Sequence, residues 1–92
     1  MQVMEALAKA ANMEPEMEIR HVSEWNGSWY LACMSPAIQD TAQMDCPRIR
    51  IRKDTGKAEY VRLIDSDFFE SLQHGQTVNL PAGTLPYSAH HN

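Results

Sequence analysis

Six of the eight basic residues of this chain fall between Arg48 and Arg62, in the stretch "RIRIRKDTGKAEYVR". Guanidinium groups at every second position can do one kind of chemistry well. They present forked, permanently charged donors to carboxylates or phosphates along one side of an extended strand. Arg48, Arg50 and Arg52 have that spacing, and Arg62 returns to the same region with Tyr60 two residues before it. The remaining reactive residue types do not assemble into a recognisable centre. His21, His74, His90 and His91 are scattered, and Cys33 and Cys46 form no Cys-x-x-Cys pair, so no standard metal spacing is present. Asp65, Asp67 and Glu70 read as helix N-terminal acids favoured by the helix dipole. No Gly-rich phosphate loop and no Ser-centred elbow occurs. The sequence therefore calls for no cofactor or metal and leans away from an enzyme.

The 92 residues carry a net charge of −4, but the charge is segregated. Residues 1–47 hold two basic and seven acidic groups, residues 48–62 six and two, and residues 63–92 none and three. The acidic remainder disfavours nucleic acid, whose binding rests on a broadly positive surface. A Glu-rich run at Glu14, Glu16, Glu18 and Glu24 raises the alternative of nucleic-acid mimicry, which a solvated strand edge explains more simply. No signal peptide or membrane span is apparent, so the expected location is the cytoplasm, with both cysteines as thiols.

The elements that must position the arginines follow from periodicity. Apolar residues at Val3, Met4, Leu7, Ala8 and Ala11 predict a short amphipathic helix over 2–12 that Pro15 stops. Alternation predicts a half-buried strand over 16–24. "NGS" is a hairpin turn, and "WYLACM", apolar on both faces, predicts a central strand. Ser35 to Pro47 is a long connection with room for a helical turn around Ala37–Gln43.

"KDTGK" then predicts a hairpin with a three-residue loop, Asp54 to Gly56. That register sets Lys53 opposite Lys57, Arg52 opposite Ala58, Ile51 opposite Glu59, Arg50 opposite Tyr60, Ile49 opposite Val61 and Arg48 opposite Arg62. Ile49, Ile51, Val61 and Leu63 then share one face. Arg48, Arg50, Arg52, Arg62 and Tyr60 share the other, and Tyr30 of the central strand joins them. In "DSDFFESLQHG" Asp67 is the expected helix cap, with Glu70 completing a capping box and Gly75 as the stop. "QTVNLP" reads as one more short strand or an extended arm.

The expected architecture is α+β: a four-stranded antiparallel meander with both helices packed on one face. Residues 1–80 form the domain and 81–92 a flexible tail. The exposed arginine face has two readings. It is paired internally, with Glu16 and Glu18 as the candidate partners, or it is a partner surface of Arg48, Arg50, Arg52, Arg62, Tyr60 and Tyr30.

"WYLACMSP" followed by "CPRIRIRKDTGKAEYVRLIDSDFFESL" also resembles the immunity protein 35 family, over Trp29 to Glu70. There an aromatic strand, a loop and a proline precede a strand with a Thr-Gly turn, a return strand and a short acidic helix. The Gly-Asn usual before the proline is here Asp45-Cys46. The turn also resembles that of the smaller PepSY domain, a binding and inhibitory module. The resemblance implies a cytoplasmic, non-enzymatic immunity or inhibitor protein that occludes a macromolecule, with a protein as partner. The alternatives are a ligand-binding or enzymatic domain with a helix–sheet pocket, marked by Cys46, a histidine and a carboxylate, and a homodimeric interaction module or nucleic-acid binder.

Overall fold

A computed structural model describes residues 2–34, 48–62 and 64–84. The expected helical turn at Ala37–Gln43, the thiol of Cys46, the facing of Leu63, and His90 and His91 with most of the 81–92 tail lie outside the described residues.

The chain runs α1 (Val3–Met13), β1 (Glu18–Trp25), β2 (Ser28–Met34), β3 (Arg48–Arg52), β4 (Ala58–Tyr60), α2 (Ser66–His74) and β5 (Gln76–Thr77). The strands form one antiparallel sheet in the order β4-β3-β2-β1-β5. The fold is α+β, as its sequence predicts, but the sheet has five strands instead of four. The fifth strand, two exposed polar residues, lies in "QTVNLP", the stretch that reads as a short strand or an extended arm. The Val78 amide extends its pairing by donating to the Val22 carbonyl at 3.0 Å.

β2 is central, and six of its seven residues are buried, as expected of a strand apolar on both faces. Asn26 and Gly27 take positive φ, 51° and 76°, the conformation a two-residue turn needs to follow the sheet's twist. The β1–β2 register then shifts between Ile19 and His21, a bulge at Arg20. That extra residue lets Ile19 and Val22, three apart, both turn into the same core, each 1% exposed.

The core is built from Ala6, Leu7, Ala10 and Ala11 of α1 against Ile19, Val22, Trp29, Leu31, Cys33, Ile49 and Ile51. Alanines on the helix let its backbone approach the sheet closely while Leu7 fills the gap. A second cluster joins Tyr30, Val61 and Phe68, with Trp25 against it. The contacts of α1 are thus with the aliphatic side of the sheet. Those of Phe68 and Asp67 in α2 are with the Tyr30 and Arg50 side. The second hairpin departs from its expected register.

Its loop is four residues long, Lys53 to Gly56, because Arg52 pairs with Lys57 and its amide donates to the Lys57 carbonyl at 3.0 Å. The pairs are therefore Ile49–Tyr60, Arg50–Glu59 and Ile51–Ala58. Relative to the expected register, β4 slips by one residue, and every side chain on it changes sides. Ala58 joins the core, and the Tyr60 hydroxyl donates to Glu14 beside the end of α1 at 2.9 Å. Glu59 takes the place expected for Tyr60, opposite Arg50. Val61, expected with Ile49, instead packs beside Tyr30 and Phe68. Gly56, at φ 73°, closes the loop as the sequence suggests.

The helix expected after an Asp67 cap is present, but it starts at Ser66 with Asp65 in the N-cap position, and the Asp65 side chain makes no capping hydrogen bond. The Asp65 side chain accepts from the Arg62 amide at 2.9 Å. Asp67 is thereby left to reach across to the sheet. Among the described residues, no helix is long and apolar enough to cross a membrane.

Candidate functional site

The arginine side of the sheet forms a groove of about 620 Å³ between the first hairpin, β3 and the start of α2. Its wall includes Trp25, Asn26, Ser28, Tyr30, Arg50, Arg52, Glu59, Arg62, Asp65 and Asp67. The β2–β3 register puts Ser28 beside Arg52, Tyr30 beside Arg50 and Ala32 beside Arg48. The alternating arginines of β3 thus project from one face, as their spacing predicts. Their surroundings then assign them different work.

Arg50 is the centre of a polar network, although its buried Nε has no hydrogen-bond partner among the described residues. Its Nη1 donates to Asp67, and its Nη2 lies 3.3 Å from Glu59. Tyr30 donates its hydroxyl to the same Asp67 oxygen at 2.8 Å. Burial alone would raise the Asp67 carboxyl. The hydrogen bonds from Tyr30 and Arg50, with the charge of Arg50, outweigh it and hold Asp67 below its ordinary value. Burial, then the bond to Asp67, pushes Tyr30 up to about 12. The internal pairing considered for this face is therefore present for Arg50, but its partners are Glu59 and Asp67. Glu16 and Glu18 do not provide it: Glu18 pairs with Arg20 at 3.0 Å.

Arg48 is buried, 8% exposed, with no carboxylate in ion-pair contact among the described residues. Its Nη2 reaches Ser23 Oγ at 3.4 Å, its guanidinium lies 5.7 Å from the centre of the Tyr30 ring, and its Nε has no partner. Burial lowers its pKa, with Tyr30 and Asp67 opposing. His21 is exposed by surface area, but partial desolvation of its ring, then the charge of Arg48, lowers its pKa; its Nε2 sits 3.2 Å from Thr77 Oγ1.

Arg52 and Arg62 stay at the surface. Arg52 is exposed and has no side-chain hydrogen bond or ion pair among the described residues. The Arg62 side chain is 69% exposed and meets one carboxylate oxygen of Asp65 at 3.5 Å. Lys53 is drawn off to Glu24 and lies 5.2 Å from the centre of the Trp29 ring.

Of the six residues expected to form a partner surface, the groove thus keeps Arg52 and Arg62 as exposed cations. Arg50 and Tyr30, 2% exposed, form its locked floor, and Arg48 is buried behind. Tyr60, 47% exposed, reaches the groove's edge, but its hydroxyl is committed to Glu14 on the other side. Glu59, Asp65 and Asp67 join the site. Asp65 and Asp67 carry helix-start signals that mask their second use, and Glu59 is displaced by the single-residue slip. Trp25 also lines the groove, its ring 6.2 Å from that of Tyr30.

Among the described residues, no histidine or cysteine lines the groove. Among the described residues no three His, Cys, Asp or Glu side chains gather as metal ligands. The chain matches no protein-family profile, no curated protein and no solved structure.

Proposed function

We propose that this chain is a non-enzymatic binding protein that engages a protein partner through the groove on the arginine side of its sheet. The observation that carries the reading is the division of labour among the arginines. Arg50 is spent on an internal network, while Arg52 and Arg62 stand exposed at the rim with little or no compensation among the described residues. Exposed arginine beside a partly buried tryptophan is the composition of interface hot spots. A floor fixed by ion pairs lowers the entropy lost when a partner docks. In a cell this is the work of an occluding protein of the immunity or inhibitor type, acting in the cytoplasm.

The test is capture from the native host with the wild-type chain and an Arg52→Ala/Arg62→Ala double variant. A photo-crosslinking residue in place of Trp25 marks the groove. A partner crosslinked at position 25 by the wild type, and lost from the double variant at unchanged thermal stability, supports the reading. A partner held equally by both chains sinks it.

A further inference from the structure

Resting on that binding reading, we infer that the group entering the groove is an acidic peptide segment of the partner, whose carboxylates pair with Arg52 and Arg62. The argument is a balance of donors against acceptors. Every carboxylate in the groove wall is already engaged within the chain. Asp67 accepts from Tyr30 and Arg50, Glu59 lies 3.3 Å from Arg50, and Asp65 accepts from the Arg62 amide while its other oxygen meets the Arg62 guanidinium. The donors are not exhausted. Among the described residues, Arg52 keeps its full fork of N–H groups, and Arg62 has only a loose contact at 3.5 Å on a 69% exposed side chain. A ligand complementary to that surplus is rich in acceptors and negative.

The three carboxylates also choose between anions. A nucleic acid strand tracks a continuous positive path, and here it would run against Glu59, Asp65 and Asp67 on a chain of net charge −4. Separate carboxylates on a peptide can reach the two guanidinium groups and leave those acids to their own partners. Trp25, half-buried in the wall, gives the peptide an apolar surface to lie on.

The experiment titrates the intact chain with three probes of about eight units: a blocked Glu/Ala peptide, the same peptide with Gln for Glu, and a thymidine oligonucleotide. Trp25 emission is the readout, with Trp25→Phe identifying its share of the signal. The Glu peptide should bind and the Gln peptide should not. Salt should weaken binding, and the Arg52→Ala/Arg62→Ala double variant should lose about tenfold in affinity. Lys57→Ala, an exposed cation outside the groove, should change nothing. Equal binding of the Gln peptide, tighter binding of the oligonucleotide, no binding of the Glu peptide, or undiminished binding by the double variant would overturn the inference. If host capture still maps to position 25 while the Glu peptide fails, this inference falls and the binding reading stands. If both fail, both fall.

Discussion

At the scale of single residues, the buried charges separate into one that is matched and one that is not. Asp67 and Arg50 hold each other, so Asp67→Asn should leave a partly buried guanidinium with Glu59 alone. We expect a loss of about 1–3 kcal/mol, read as a lower urea midpoint. Asp65→Asn, which breaks an exposed pair, should cost under about 1 kcal/mol for the ion pair itself. The pH dependence follows from the same group. Because the folded Asp67 pKa is depressed below the ordinary 3.8, its contribution is present above that value and fades as pH falls through the folded pKa. The Asp67→Asn variant should lack this acid-side loss. Tyr30 behaves in the opposite sense. Its folded pKa is raised from 10.0 to about 12, so its contribution is intact below pH 10 and lost as pH rises through 12. Tyr30→Phe should flatten the alkaline limb of the stability profile. Arg48 has no carboxylate in ion-pair contact among the described residues. Arg48→Met, apolar and of similar length, should be neutral or stabilising by about 1 kcal/mol in urea unfolding.

At the scale of elements, the sequence is legible wherever one signal acts alone. Val3, Leu7 and Ala11 mark α1, Asn26-Gly27 marks the first turn, and the doubly apolar Trp29–Met34 run marks the central strand. It is illegible where two signals compete or none is strong. Asp65 and Asp67 both read as helix-start residues, and only the position of Tyr30 and Arg50 across the groove shows that Asp67 serves the sheet instead. "KDTGK" accommodates a loop of three or four residues, and the alternation of β4 is too short to arbitrate. β5 has no alternation to read. Two substitutions probe the elements that were legible. Leu7→Ala empties the centre of the helix–sheet core and should cost about 2–5 kcal/mol. Gly27→Ala meets no atom within 4 Å, so its cost of about 1–2 kcal/mol comes from the positive φ alone.

At the scale of the whole molecule, the two apolar clusters lie on the two sides of one sheet and share β2. That sharing ties them into a single cooperative unit. Trp29 belongs to the larger cluster and Trp25 packs against the smaller. Urea unfolding followed by tryptophan emission should therefore coincide with unfolding followed by far-UV circular dichroism. Two separated transitions would show that the clusters melt independently. The charge segregation visible in the sequence also resolves at this scale. Glu59, Asp65 and Asp67 are interleaved with Arg50, Arg52 and Arg62 across the groove, so a block of net +4 in the chain becomes a nearly neutral wall with two cationic points. Linear charge density overstates the positive field a partner meets.

The four-residue loop between β3 and β4 has one more implication, and it concerns descent. Losing a single residue there, Thr55 for instance, while the loop keeps its four-residue form would draw Lys57 into the turn, pair Arg52 with Ala58 and turn the return strand over. A phenol would then stand beside Arg50 where a carboxylate does now, and Glu14 would lose its tie to Tyr60. Arg50 would keep one counter-charge and gain freedom to grip something external. A lineage carrying this hairpin could thus change what its groove recognises by an insertion or deletion alone, with every arginine left in place.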